Sequence, residues 1–232
     1  MNQPRIESEP LHRRRPRKGD RRVFLFTLAT CSFFAACFLV WVYAPAIIAY
    51  RNYTPQAGDI IFQSLPHSRL VNAIEGATGS PYSHCGIVAK EDGNWVVYEV
   101  YRNVEVTNLR EFIFRSRKQG FAVYRLKDQH QHLVTPALEK VSSFVGRPYD
   151  VRYRMDDEAI NCSELIYKAF ELSSGQKLGK LQRFGDMNWQ PYKATVLHYE
   201  RGPVPVDRQM ITPKGMSQAH QLERIYSYAI RS

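Results

Sequence analysis

The sequence predicts an α+β domain, an antiparallel sheet with packed helices, preceded by one transmembrane helix. Three observations predict it. Residues 23–50 carry no charge and follow a basic cluster, two β-rich runs flank Asp92-Gly93, and the segments 68–77, 134–144 and 162–172 repeat apolar residues at helical spacing.

Taken in order, residues 1–22 hold eight Lys/Arg against three Asp/Glu and read as a basic cytoplasmic tail. Residues 23–50 exceed the ~20 apolar residues that cross a bilayer core. With the arginines in front, the positive-inside rule makes this stretch an uncleaved signal anchor and carries residues 51–232 across the membrane. Trp41 and Tyr43 suit the far interface. A cleaved signal peptide is one rival, since Ala44-Pro45-Ala46 resembles a small-residue cleavage site, but the apolar core is too long and proline disfavours cleavage. Lipidation at Cys31 or Cys37 is another, on poor lipobox matches.

In the exported part, residues 58–63, 84–89, 95–101, 104–108 and 121–126 read as strands. Residues 68–77 read as a helix burying Leu70, Val71, Ile74 and Ala77. Further helices are expected at 134–144 and 162–172, and further strands at 196–199 and 206–211.

Charge and cysteine count exclude several classes. About half of the net charge of +10 sits in residues 1–22, where topology and anionic lipid explain it, so no nucleic-acid footprint remains. Four cysteines are too few for a disulfide scaffold, two of them lie in the span, and no CxxC occurs, so no structural zinc site is expected. His130 and His132 read as a solvated loop rather than a metal pair. Asp59 reads as a turn or strand-start residue, and Arg152, Arg154, Asp156 and Asp157 as a polar loop over the cleft.

Asn161-Cys162-Ser163-Glu164 reads as a capping box, which makes Cys162 the first residue of a helix. There the helix dipole favours thiolate, the form that attacks carbon. A small buried cysteine is the plainer reading of the same pattern.

A partner comes from the hairpin. If Lys90 pairs with Trp95 across the Asp92-Gly93 turn, Gly86 faces Glu99 and His84 faces Tyr101. One face then carries His84, Gly86, Val88, Glu99 and Tyr101; the other, more apolar, carries Cys85, Ile87, Ala89, Val96, Tyr98 and Val100. Glu99 becomes the diagonal neighbour of His84, with Gly86 leaving room between them, and can orient the imidazole. That gives a Cys162-His84-Glu99 set. On this register Cys85 should point away from Cys162, against a bridge between them.

These motifs resemble the bacterial permuted papain-like amidases, a branch of the NlpC-type cysteine hydrolase superfamily. The resemblance rests on "AGDIIF" at 57–62, "ATGSPYSHCGIV" at 77–88, "VYEV" at 97–100, "GRPYDVRY" leading to "NCSELIY", and a late "ITPKGMSQAHQLERIY". The order of a GD strand, His84, Glu99 and then Cys162 matches the permuted branch. The resemblance implies a permuted papain-like (NlpC-type) fold, with Cys162 as nucleophile, His84 as general base and acid, and Glu99 as the orienting group. It also implies Tyr149 at the oxyanion or substrate-binding site. Cys85 departs from a valine-like residue, and Asn161 from an often aromatic one.

The expected function is a periplasmic cysteine hydrolase, single-pass in a bacterial inner membrane, cleaving an amide of a cell-wall peptide or related small substrate. No cofactor, nucleic acid or obligate protein partner is expected. The alternatives are a lipid acyl hydrolase or acyltransferase of the lecithin:retinol acyltransferase-like type, and an inactive membrane-tethered binding module.

Overall fold

The computed structural model describes residues 18–230, so most of the expected basic tail lies outside the described residues. Helix α1 (Lys18–Asn52) contains a stretch, Leu25–Asn52, long and apolar enough to cross a membrane. Its Phe33, Phe34 and Phe38 side chains are exposed.

The chain divides into two units at Pro45. In the second, a six-stranded antiparallel sheet runs in the order β4-β3-β2-β1-β5-β8. Its strands are β1 (Ile60–Gln63), β2 (His84–Glu91), β3 (Asn94–Val100), β4 (Val104–Asn108), β5 (Phe121–Leu126) and β8 (Leu222–Tyr228). The hairpin forms as expected. Asp92 and Gly93 both take positive φ, 47° and 81°, as the tightest strand-reversing turn requires. Lys90 pairs with Trp95 and Gly86 with Glu99.

Both faces of the sheet are covered. On one side α4 (Val134–Ser142) and α5 (Cys162–Ser174) bury Phe62, Cys85, Ile87 and Val100. On the other, α3 (Leu109–Arg115) and residues Ala49 and Tyr53 at the end of α1 bury Ile61, Val88, Val97 and Phe121. The hairpin face carrying His84 and Glu99 is therefore interior too, because α3 supplies a second apolar layer.

Helix α2 (Arg69–Thr78) starts at Ser68, whose hydroxyl accepts from the Val71 N–H at 3.1 Å, and stops at Gly79 in the left-handed region. Asp59 is structural. Fully buried, it accepts from Tyr53 Oη at 2.8 Å and from Arg125 Nε at 2.7 Å, stapling the segment before β1 to β5.

Two expectations fail. Residues 196–199 belong to a helix, α6 (Lys193–Glu200), although Val196 and Tyr199 favour strands; packing of Val196 with Phe184 and Trp189, and of α6 on α2, outweighs local preference. Residues 206–211 form only β7 (Gln209–Met210), paired with the equally short β6 (Gln182–Arg183). A short helix, α7 (Pro213–Ser217), leads into β8.

Candidate active site

Cys162 is positioned by the cap in front of it. Asn161 Oδ1 accepts from the Glu164 N–H at 3.0 Å, and Glu164 Oε2 accepts from the Asn161 N–H at 3.2 Å, closing the capping box. Ser163 Oγ donates to the Ile211 carbonyl at 2.9 Å, tying the same turn to the chain before α7. The sulfur is thus fixed at the N-terminus of a helix whose residues 162–170 are all buried.

The imidazole and carboxylate come from the hairpin. His84 Nε2 lies 2.6 Å from Glu99 Oε2. Gly86 makes this possible, since a Cβ there would sit 2.4 Å from Val97 Cγ1 and 2.9 Å from the Tyr98 carbonyl oxygen. The ring stacks on Phe112 of α3, centroids 5.6 Å apart. With Nε2 engaged by Glu99, Nδ1 is the nitrogen left for the sulfur of Cys162, whose charge acts on the ring.

One placement corrects the sequence reading. Cys85 was expected to point away from Cys162, but both lie in the same buried cluster and their thiols interact. Helix α5 packs on the face of β2 that carries Cys85. His84, the first residue of that strand, pairs with Gln63 of β1 but lies beyond the ladder with β3, so it stands at the strand's end. Both cysteines are free thiols.

The electrostatics follow from these contacts. A hydrogen bond from Cys85 outweighs burial and, with the nearby His84, holds the Cys162 thiol well below its ordinary value. Burial alone would lower His84, but the Cys162 sulfur and then Glu99 push it up to about 9. Burial alone would raise Glu99, but His84 and Arg115 hold it at about 2. All three directions run towards thiolate, imidazolium and carboxylate, on side chains 2 % exposed or less.

Tyr149 stands beside this set. A bridge with Ile160 brings it next to the start of α5, and its hydroxyl is 3.5 Å from that of Tyr153. Burial and then the Cys162 charge push Tyr149 upward, so its hydroxyl keeps its proton and can donate a hydrogen bond. Tyr153 escaped the sequence reading. It takes the left-handed region at φ 56°, where a non-glycine residue is strained, in a loop organised by buried Asp150, which accepts from the Arg152 and Arg154 N–H groups. Arg154 pairs with Asp156 within the loop at 3.2 Å, and Asp157 ties the loop to Lys168 of α5 at 2.9 Å. Arg115 also escaped; no local pattern marks it.

A cleft of about 510 Å³, bordered by Leu65, His67, Ser83, His84, Tyr101 and Tyr149, leads to the site. An apolar recess between α2 and α6, walled by Tyr153, Phe184, Trp189 and Val196, shares Leu70, Ile74 and Val151 with it. The sulfur itself is fully buried.

A thiol opening a helix late in the chain, meeting a histidine and a carboxylate from an earlier hairpin, is a papain-like constellation in permuted order. The chain belongs to the permuted papain-like amidase enzymes of the YaeF/YiiX, C92 family, whose model matches residues 54–226. It is 28% identical over 178 residues to the uncharacterized protein YiiX of Escherichia coli (strain K12), covering 74% of this chain and 86% of that protein. It is also similar to the crystal structure of metalloprotein yiiX from Escherichia coli O157:H7, with a TM-score of 0.69 and 26% identity over 76% of this chain and 99% of that one. In this chain, among the described residues, no group of three or more His, Cys, Asp or Glu is placed to hold a metal ion. Glu99 is already taken up by His84 and Arg115.

Proposed function

We propose that the protein is a membrane-anchored, periplasmic cysteine hydrolase that cleaves an amide bond through an acyl-enzyme on Cys162. The observation that carries this is the buried set in which Cys162 meets His84 and His84 Nε2 lies 2.6 Å from Glu99. The thiolate adds to the carbonyl carbon, forming a C–S bond and moving the π pair onto oxygen. In this reading the Cys162 backbone N–H, unpaired within its helix as a first-turn donor, and the Tyr149 hydroxyl hold that oxyanion. On collapse the C–N bond breaks and His84 gives its proton to the departing amine. His84 then takes a proton from water, which attacks the thioester and releases acid and free thiol.

Helix α1 serves as the anchor, with residues 1–22 cytoplasmic. In that compartment cell-wall peptides and related small amides are the substrates of this reading. A second reading, lipid acyl hydrolysis or transfer, is favoured by one feature: the recess adjoining the cleft is lined mostly by apolar side chains. Full-length protein in detergent, assayed against amide, ester, thioester and lipid-amide panels, separates the two. Hydrolysis should be lost in Cys162→Ala. Turnover that survives this substitution would refute both.

A further inference from the structure

The catalytic set as described is out of charge balance. In the thiolate–imidazolium form, Cys162, His84 and Glu99 hold two negative charges and one positive where no side chain is more than 2 % exposed. Glu105 of β4 stands opposite Glu99 in the ladder and adds a further carboxylate, half-buried. Unbalanced charge is strongly disfavoured in such surroundings.

The cation that offsets Glu99 is Arg115, the last residue of α3. Its Nη2 lies 2.7 Å from Glu99 Oε1 and 2.5 Å from Oε2, the oxygen that also meets His84. The guanidinium is only 18% exposed and sits over the Tyr101 ring, 4.2 Å from its centroid, and near Phe112 at 5.5 Å. The same two rings contact the imidazole, Phe112 by stacking and Tyr101 edge-on at 6.4 Å. One pair of aromatic side chains therefore aligns the arginine and the histidine on a common carboxylate oxygen. The groups facing Glu99 are His84 from β2, Glu105 from β4 and Arg115 from α3; the Cys85 thiol feels its charge from the other side of the sheet, and Arg110 and Glu111 of α3 are exposed.

We infer that Arg115 is a positioning residue of the catalytic set: it holds Glu99 ionised and in the rotamer that presents Oε2 to His84, and so keeps the imidazole aimed at Cys162. This rests on the reading of Cys162 as nucleophile. A carboxylate in this position without its arginine would take up a proton within the working range and would be free to turn away from the ring.

The test is the rate of Cys162 alkylation by iodoacetamide against pH, in full-length protein in detergent, read at Cys162 by peptide mass. Wild type, Arg115→Met, Arg115→Lys, Glu99→Gln and the Arg115→Met/Glu99→Gln double variant are compared. Arg115→Met should slow alkylation at neutral pH by about tenfold. It should also add a titration step between roughly pH 4 and 7 that wild type lacks, because Glu99 now titrates there. Both effects should vanish in the Glu99→Gln background. Arg115→Lys, which keeps the charge, should show no extra step. A wild-type profile for Arg115→Met, or the same slowing with and without Glu99, overturns the inference. If Arg115→Met does not fold, Arg115→Gln, alone and with Glu99→Gln, takes its place: slowing that vanishes in the Glu99→Gln background supports the inference, and a wild-type profile or slowing that persists overturns it. If wild type reacts no faster than His84→Ala, the nucleophile reading itself has failed; if it reacts faster and Arg115→Met matches it, only the role of Arg115 has.

Discussion

Replacing His84 with alanine removes the cation that faces the Cys162 sulfur, and the size of the effect can be worked through. In the native site hydrogen bonding from Cys85, opposed by burial and aided by His84, holds the thiol below its ordinary 9.0. Without the imidazolium, a fully buried sulfur is left with Cys85 alone, and burial raises it. A thiol at 9.0 is ionised to only about 1% at pH 7, a loss of about a hundredfold in thiolate. Part of this is returned, because a more basic thiolate is the better nucleophile; a Brønsted coefficient of about 0.4–0.5 gives back about half of the loss on a logarithmic scale. Alkylation at pH 7 should therefore slow by about tenfold, and the deficit should shrink or reverse near pH 10. The assay is the second-order rate with iodoacetamide from pH 5 to 10. Peptide mass separates Cys162 from Cys31 and Cys37, which are exposed. Equal rates at neutral pH, with superimposable profiles, would refute the coupling of the two groups.

Three further outcomes follow from other contacts. Cys85→Ala removes the largest contribution lowering Cys162, so the acid limb of the alkylation profile should move to higher pH while the protein stays folded; an unmoved limb would show that the Cys85 thiol does not donate. Gly86→Ala places a Cβ 2.4 Å from Val97 Cγ1 and should destabilise the domain by about 1–3 kcal/mol in chemical denaturation; an unchanged midpoint would mean that the hairpin is looser than described. Glu99 is held at about 2 against an ordinary 4.5, so the stability it contributes is complete above 4.5 and lost as pH falls towards 2. Glu99→Gln should lose that acid dependence, and denaturation curves from pH 2 to 6 that match wild type would contradict it.

The parts of this protein set by local chemistry were legible in its sequence. Asp92-Gly93 specified the turn, which specified the register, and the register put Glu99 beside His84 across Gly86. Asn161 and Glu164 marked the start of α5, and with it the position of the sulfur. Features that depend on contacts between distant segments were not legible. Arg115 ends a seven-residue helix with no pattern of its own, and its partner sits on β3, the strand that the helix packs over. Tyr153 enters the site because Asp150 folds its loop through backbone N–H groups, which a residue code does not display. Cys85 was assigned to the correct face but to the wrong neighbours, since alternation says which side of a strand a residue takes and not which helix packs there.

The most direct test is the ultraviolet absorbance of thiolate near 240 nm, titrated from pH 4 to 10 in wild type and Cys162→Ala, so that the difference reports this sulfur alone. A thiolate signal already present at neutral pH, and falling only in acid, is the expected result. A difference signal that develops only at or above the ordinary value of 9.0 would mean a protonated, unactivated thiol, and the proposed acyl-transfer chemistry would not hold.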